Sequence, residues 1–270
     1  MNYSTKPETL SLAGQRILVT GVSRPRGIGP AIVRALADAG AVVAAHGYLP
    51  YDRAMQYEDA DHPLQELKDD LLQGGRKIVF LTPSDLSLPE APAQVVAEAQ
   101  ERCGSLSGLV LNHAYSVCKP LGSWTAEHID LHLQVNVRAA MLMLQAFAAQ
   151  LPEGMPGAVT LFTSGQYRGP MTKEIAYAVS KEATIGLCRQ ASAALAPQGI
   201  RVNCVNPGPT DTGYLTGEAH AAVARCFPSG RWGMPEDAAR LVHFLHSDYA
   251  AWITGEVIAS EGGYSQDLDL

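Results

Sequence analysis

The sequence lacks several features that would place it in well-known classes of protein. It has no run of 18 consecutive apolar residues, so no segment is long and apolar enough to span a bilayer as a helix. It has no long basic run, and its formal net charge of −7 makes nucleic acid and anionic membranes poor partners. The N-terminal stretch is polar and lacks the apolar core of a signal peptide. We therefore expect a cytoplasmic protein with neither a membrane nor a nucleic-acid partner.

The cysteines do not indicate a disulfide framework. There are five, an odd number, and no two form a Cys-x-x-Cys pair. This pattern is typical of reduced thiols in a cytosolic protein. His243 and His246 lie three residues apart on one predicted helix, but the sequence offers no third ligand beside them. No metal is expected.

Short apolar runs do alternate with longer helical patterns along the 270 residues. The runs are rich in Val, Ile and Leu without polar alternation, which is typical of strands buried on both faces of a parallel sheet. The predicted strands are 16–20, 42–46, 77–81, 108–112, 158–163, 201–206 and 256–260. The predicted helices lie near 30–39, 63–73, 89–103, 125–151, 172–196 and 235–247. This order predicts an α/β fold in one domain, 1–270: a Rossmann-type, doubly wound parallel sheet with helices on both faces.

The stretch TGVSRPRGIG, residues 20–29, joins the first predicted strand to the first helix. Gly21, Gly27 and Gly29 would let the backbone approach an anion, and a helix N-terminus favours a phosphate there. The spacing G-x5-G-x-G is neither G-x-G-x-x-G nor a P-loop. Taken alone, it fits a nucleotide site or a plain turn.

Together with the rest of the chain, this loop resembles the short-chain dehydrogenase/reductase family. The usual family spacing is T-G-x3-G-x-G, and the two extra residues within VSRPR resemble a 3-oxoacyl-carrier-protein reductase-like branch with a longer loop. Further motifs follow in family order: SDLS (84–87), LNHA (111–114), VNV (135–137), TSG (163–165), YAVSK (177–181) and NPGPTDT (206–212). The resemblance covers nearly the whole chain and implies hydride transfer between a nicotinamide and a ketone or secondary alcohol.

Tyr177 and Lys181 are four residues apart, so a helix would present both on one face. A lysine cation about 4 Å from a phenol, at an effective dielectric of about 20, is worth roughly 4 kcal/mol. That energy could lower the tyrosine pKa from about 10 by up to about 3 units, before desolvation subtracts from it. We expect Tyr177 to exchange a proton near pH 7 for this reason. The spacing alone also fits an ordinary surface pair.

The resemblance completes a catalytic set of Asn136, Ser164, Tyr177 and Lys181. Ser164 closes the fifth predicted strand, at the sheet edge where α/β folds bind ligands, and would polarise the substrate carbonyl. A turn serine is the alternative. Asn136 would hold a water that relays protons to Lys181, or would make a structural hydrogen bond, and the two roles can coexist. Lys181 would also reach the nicotinamide ribose.

The resemblance also implies a set of cofactor contacts. They are Gly21, Ser23, Arg24, Arg26, Gly27, Ile28, Gly29, Asp85, Leu86, Asn112, Ala114, Tyr177, Lys181, Pro207, Gly208, Thr210 and Thr212. The acid that NAD-binding proteins often carry after the second strand would fall near Gly47, and Asp52 comes too late in the chain to match it. Arg24 and Arg26 would suit a 2′-phosphate, since guanidinium matches phosphate geometry, although exposed charges are the alternative. We expect NADP(H) to be favoured over NAD(H).

The substrate side is expected to come from 115–121, 165–174 and 211–230, the last as a lid. Candidate substrate residues are Tyr115, Ser164, Gln166, Tyr167 and Tyr214. His113 and Tyr115 replace the family's asparagine and glycine, and Tyr115 would enlarge the wall beside the nicotinamide. Four cations would suit an anionic or carrier-bound substrate unless they are simply solvated: Arg168, Lys173, Arg225 and Arg231.

Several alternatives stay open at this point. The substrate could be a 3-oxoacyl thioester or a specialised alcohol such as a sugar, steroid or polyketide. A non-catalytic dinucleotide sensor is a third reading, but its expected sign is loss of Tyr177 or Lys181. The long 47–63 connection could be a tolerated surface insertion or a cofactor-side element. The apolar patterns of 125–151 and 172–196 predict pairing with other copies as a homodimer or homotetramer.

Overall fold

A computed structural model of the chain describes residues 10–57 and 59–265. Its seven strands are β1 (Arg16–Thr20), β2 (Val42–His46), β3 (Ile78–Phe80), β4 (Gly108–Leu111), β5 (Gly157–Phe162), β6 (Ile200–Asn206) and β7 (Val257–Ala259). They pair in parallel in the order β3-β2-β1-β4-β5-β6-β7. All seven fall within one residue of the predicted ranges. The predicted doubly wound α/β fold is confirmed.

The helices of the described residues are α1 (Ile28–Asp38), α2 (Leu49–Ala54), α3 (Leu64–Leu72), α4 (Ala91–Cys103), α5 (Ala126–Leu133), α6 (Ala139–Gln150), α7 (Ile175–Leu195), α8 (Gly217–Arg225) and α9 (Pro235–His246). Two of them, α2 and α8, lie in segments for which no helix was predicted. The predicted helix 125–151 is interrupted, because a π-helical turn at Gln134–Arg138 separates α5 from α6. Within the described ranges, none of the helices has the length and apolarity needed to cross a bilayer.

Side chains of β1 alternate between the two faces of the sheet, as the pleat of a strand requires. Leu18 belongs to the core on the side of α4, α6 and α7. Ile17 and Val19 belong to the core on the side of α1, α3 and α9. Both faces are therefore covered, and this explains why the strands read as uninterrupted apolar runs.

The strand order reverses beside β1. The chain moves outward from β1 to β2 and β3, then returns to place β4 on the other side of β1. In an open parallel sheet, the crevice at the carboxyl ends of such neighbouring strands is where ligands bind. The fold therefore directs the search for a site to the residues after Thr20 and Leu111.

Candidate active site

A cavity of about 520 Å³ lies at this crevice. The predicted site residues on its wall are Gly21, Ser23, Arg24, Gly27, Ile28, Asp85, Leu86, Asn112, Ala114, Tyr115, Tyr177 and Thr212. The glycine loop and Tyr177 thus border the same space, although about 150 positions separate them in the sequence. The fold brings together the two ends of the predicted site.

The glycine loop allows α1 to begin almost in contact with β1. A Cβ atom on Gly29 would clash with the carbonyl oxygen of Gly21, and Gly21 itself has a φ of +75°. The first turn of α1 contains no acidic residue, and no side chain caps it. Its N–H groups and its dipole are therefore suited to a phosphate group. These observations fit a dinucleotide, with its pyrophosphate at the start of α1.

Of the four predicted catalytic residues, Tyr177 lines the cavity, and Ser164 and Lys181 lie beside it. The Ser164 side chain, two residues after the end of β5, lies near enough to Tyr177 to lower the pKa of its hydroxyl. The Nζ atom of Lys181 lies 5.6 Å from the centroid of the Tyr177 ring and donates to the carbonyl oxygen of Phe162 at 2.9 Å. Helix α7 presents Tyr177 and Lys181 on one face, because they are one turn apart.

The expected shift of the Tyr177 pKa has the wrong sign. Desolvation by burial, opposed by the hydrogen bond with Ser164, raises the pKa of Tyr177 to about 12, and the negative charge of Glu174 also raises it. Burial lowers the pKa of Lys181 to about 8. The sequence argument placed the ammonium beside the phenol oxygen, whereas this ammonium is hydrogen-bonded to the Phe162 carbonyl. Tyr177 therefore holds its proton at neutral pH, which suits donation rather than abstraction.

Asn136 lies in the π-helical turn, and its side chain is buried. Its Oδ1 accepts from the Tyr115 N–H at 2.7 Å, and its Nδ2 donates to the Tyr115 carbonyl at 2.9 Å and to the Ser180 hydroxyl at 2.8 Å. The amide therefore joins the π turn, the loop after β4 and helix α7. Both of its donors are used within the protein. The water relay to Lys181 stays a prediction.

His113 connects β1 to the same π turn. Its Nδ1 lies 2.7 Å from the Thr20 hydroxyl, and its Nε2 lies 3.1 Å from the Val135 carbonyl oxygen. A carbonyl only accepts, so we assign the neutral tautomer with the proton on Nε2. Desolvation by burial, together with the charges of Lys181 and His46, lowers the pKa of His113 to about 3. A neutral histidine therefore replaces the family's asparagine as a structural link.

The 47–63 segment, described apart from position 58, contributes to the cofactor side of the cavity. The Tyr51 hydroxyl donates to the Ser116 carbonyl at 3.0 Å and accepts from the Ser116 N–H at 3.0 Å. The Tyr48 hydroxyl donates to Asp85 at 3.3 Å. The sequence reasoning missed these tyrosines. The signal was there, since this short segment holds three of the chain's ten tyrosines.

Arg24 is not an exposed charge. Its guanidinium pairs with Asp52 at 3.4 Å and Asp59 at 2.6 Å, and lies 4.0 Å from the centroid of the Tyr57 ring. Asp52, set aside in the sequence reasoning because of its position, lines the cavity from α2. Arg26 pairs with Asp211 at 3.1 Å. Both arginines predicted to meet a 2′-phosphate therefore already contact carboxylates.

Gly47 explains why no acid stands directly after β2. A Cβ atom on Gly47 would clash with the carbonyl oxygen of Val22. The glycine loop passes too close to this end of β2 for any side chain. Acidic groups reach this part of the cavity from farther along the chain instead.

The other predicted residues lie around the cavity rather than on its wall. The Gln166 amide donates to Thr163 at 3.0 Å and to Glu182 at 3.1 Å, and the Tyr167 hydroxyl accepts from Asn206 at 3.3 Å. The structure therefore does not bring Gln166 and Tyr167 to the wall. Tyr214 is 45% exposed and packs edge-on against Trp232, with ring centroids 5.6 Å apart.

The predicted cofactor residues after β6 shape a loop. The Thr210 hydroxyl lies 3.4 Å from the Pro207 carbonyl and 3.2 Å from the Gly208 carbonyl, both of them acceptors. The loop continues to Thr212, whose carbonyl accepts from Arg24 at 3.2 Å. Of these four residues, Thr212 lines the cavity.

Comparisons with known proteins agree with this geometry. A sequence profile described as "Enoyl-(Acyl carrier protein) reductase" matches residues 21–265. An uncharacterized oxidoreductase, YjdA, from Bacillus subtilis (strain 168) is 36% identical over 249 residues, which are 92% of this chain and 95% of that protein. A short-chain dehydrogenase/reductase from Serratia marcescens BCRC 10948 superposes with a TM-score of 0.82 at 30% identity, covering 94% of this chain and 99% of that one.

The angucycline C-6 ketoreductase LanV with bound NADP superposes with a TM-score of 0.81 at 29% identity, covering 94% of this chain and 96% of that one. These matches define the protein as an oxidoreductase. It belongs to the short-chain dehydrogenase/reductase family, as the motif order indicated. The 3-oxoacyl-carrier-protein reductase-like branch stays a prediction.

Proposed function

We propose that the protein reduces a ketone to a secondary alcohol, with NADP(H) as cofactor and Tyr177 as the proton donor. The observation that carries the proposal is the grouping of Ser164 and Lys181 around Tyr177, which shares the wall of one cavity with the glycine loop. Loss of Tyr177 or Lys181 was the sign expected of a non-catalytic sensor, and both residues are present in this arrangement.

The chain's own groups would divide the work as follows. The bound dihydronicotinamide supplies the hydride. The Ser164 hydroxyl donates a hydrogen bond to the substrate carbonyl oxygen, where negative charge develops. Tyr177 gives its proton to that oxygen, and its raised pKa keeps this proton available at neutral pH. Lys181, fixed by the Phe162 carbonyl, places a positive charge behind the phenol. Asn136 and His113 hold the loop after β4 in place.

The glycine loop and the start of α1 would hold the pyrophosphate, with Asp85 and Leu86 at the adenine side. The preference for NADP(H) is supported by Arg24 and Arg26 near this end and by the NADP bound to LanV. The 2′-phosphate would have to share Arg24 with Asp52 and Asp59. This competition makes the preference directly measurable as the ratio of kcat/KM for NADPH and NADH.

A panel of ketones, followed by NADPH oxidation, tests the proposal. Tyr177→Phe should lower kcat/KM by about 10³-fold, because the carbonyl oxygen loses its acid. The matched control is Tyr249→Phe, at a tyrosine that is 53% exposed on the surface, which should change little. Full activity of Tyr177→Phe would end the proposed mechanism, and a marked NADH preference would end the cofactor assignment.

The remaining sequence-based predictions fit the same proposal. The 211–230 segment would act as a substrate lid, since it includes α8 and carries Thr212 onto the wall. The exposed face of α5, α6 and α7 would meet a second copy as part of a homodimer or homotetramer. Four large apolar side chains are exposed there: Ile129, Leu133, Met141 and Val179. A stable monomer in analytical ultracentrifugation would contradict this assembly.

A further inference from the structure

We propose that the Asp52 carboxylate recognises the 2′ group of the adenosine ribose, because it can accept a hydrogen bond from a free 2′-hydroxyl and repels a 2′-phosphate. Arg24, its ion-pair partner, has the opposite preference. The inference rests on the proposed nicotinamide cofactor and names the residue that limits its selectivity. The preference of the native protein is then the balance between one carboxylate and one guanidinium.

Asp52 lies at the part of the cavity where the adenosine ribose is expected. A dinucleotide with its pyrophosphate at the start of α1 places this ribose near the carboxyl end of β2. Gly47 follows β2 directly, and the Val22 carbonyl leaves no room there for a side chain. Helix α2 begins two residues later, at Leu49, and brings Asp52 to the cavity wall. Asp52 therefore supplies the acid that cannot stand at Gly47.

Contacts on two sides hold Asp52 in place. The hydroxyl of the neighbouring Tyr51 is hydrogen-bonded to the Ser116 N–H and to the Ser116 carbonyl, both at 3.0 Å. The Oδ1 atom of Asp52 lies 3.4 Å from Nε of Arg24, and the residue is 7% exposed. A carboxylate that the protein already holds loses little conformational freedom when a ribose hydroxyl binds to it.

The other acid on the wall has donors of its own. Among the described residues that line the cavity, the carboxylates are those of Asp52 and Asp85. One oxygen of Asp85 accepts from the Tyr48 hydroxyl at 3.3 Å, and the other accepts from the Ser87 N–H at 2.8 Å. Asp52 is the acid on this wall that pairs with Arg24. It is therefore the carboxylate that a 2′-phosphate bound to Arg24 would meet.

Asp59 provides a matched comparison. Its Oδ1 lies 2.6 Å from Nη1 of Arg24, and its Oδ2 accepts from the Arg26 N–H at 3.0 Å. Arg24 thus has two carboxylate partners, but of these two only Asp52 is among the described residues that line the cavity. Both acids compete for the guanidinium with a phosphate, which carries up to about two negative charges. Only Asp52 is placed to contact the ribose as well.

Three fragments without a nicotinamide measure this recognition: adenosine 5′-monophosphate (AMP), 2′-deoxy-AMP and adenosine 2′,5′-bisphosphate. Burial raises the pKa of Asp52, so isothermal titrations are made near pH 8. The native protein should bind AMP about tenfold more tightly than 2′-deoxy-AMP, because the hydroxyl donates to a charged acceptor. Asp52→Asn keeps the shape but removes the charge. It should reduce this difference to about threefold and tighten the binding of the bisphosphate by about tenfold.

Asp59→Asn is the control, since it removes a partner of Arg24 without altering the wall. It should leave the ratio of the Kd values for AMP and 2′-deoxy-AMP as it is. The same change of this ratio in both variants would show that the effect acts through Arg24 alone, and would overturn the inference.

The fragments cannot transfer a hydride, so the test is independent of the proposed reaction. If no ketone is reduced but the expected Kd differences are found, the reaction fails and the ribose site stands. Equal affinity of the native protein for AMP and 2′-deoxy-AMP would overturn the inference even if ketones are reduced. Failure of the native protein to bind any of the three fragments would overturn it as well.

Discussion

The two ends of the cavity are built in different ways. At the catalytic end, Ser164 and Tyr177 are presented by the end of β5 and the first turns of α7, and their partners are close in sequence or across one strand. At the cofactor end, Arg24 is held by carboxylates from the 47–63 segment, more than 25 residues away. The first end is determined by regular elements and short spacings, and the second by a connection that folds back onto the glycine loop. The proposed proton chemistry would therefore depend on local structure, and the proposed cofactor contacts on long-range ones.

The largest expected effect concerns the end of the cavity at Tyr177. Alcohol oxidation and ketone reduction should depend on pH in different ways. In the proposed mechanism, alcohol oxidation needs a deprotonated Tyr177, and the pKa of this residue is raised to about 12. We expect the oxidation rate to rise about tenfold per pH unit from pH 6 to 8, below the pH range in which Lys181 loses its charge, because the deprotonated fraction of Tyr177 rises by that factor. Ketone reduction uses the protonated form and should not rise over this range. An oxidation rate that reaches a plateau near pH 7 would contradict the raised pKa.

At the cofactor end, Tyr51→Phe removes the hydroxyl that bridges to Ser116. The Ser116 N–H and carbonyl would lose their hydrogen-bond partner. This loss should destabilise the observed position of the 47–63 segment by about 1–3 kcal/mol. Hydrogen exchange should show about tenfold or faster opening of residues 47–57, while the amides of α7 exchange as before. Tyr249→Phe serves again as the surface control. Equal protection in Tyr51→Phe and the native protein would show that the bridge does not hold the segment.

His113 joins β1 to the π turn. Of the three substitutions and measurements described here, its replacement is expected to have the smallest effect. Its pKa is about 3 in the folded protein and 6.5 as the ordinary value, so the unfolded chain binds an extra proton between these pH values. The stability that neutral His113 contributes is complete above pH 6.5 and is lost as the pH falls towards 3. His113→Asn should therefore reduce the pH slope of the unfolding free energy by about 1 kcal/mol per pH unit between pH 4 and 6. Urea unfolding at several pH values measures this slope, and an unchanged slope would refute the assignment.

The features that the sequence predicted correctly depend on local pattern, and those that it missed depend on long-range contacts or burial. Buried apolar runs identified all seven strands, and motif order identified the family, because both depend on local pattern. The interruption of helix 125–151 was not predictable from the local pattern. The π turn brings Asn136 to the backbone of Tyr115 and to Ser180, and both of these partners are distant in the sequence. The partners of Arg24 were also missed, because Asp52 and Asp59 lie in a segment without a regular pattern. The sign of the Tyr177 pKa shift depends on burial, which spacing does not report.

Gly47 has a consequence for anyone who wishes to redesign this protein. A common route to altered nucleotide preference is to exchange the side chain that follows the second strand. That route is closed here, because the Val22 carbonyl occupies the space that such a side chain would need. Engineering of the preference would have to begin at Asp52 and Asp59, and each change there would also remove a carboxylate partner of Arg24 on the cavity wall.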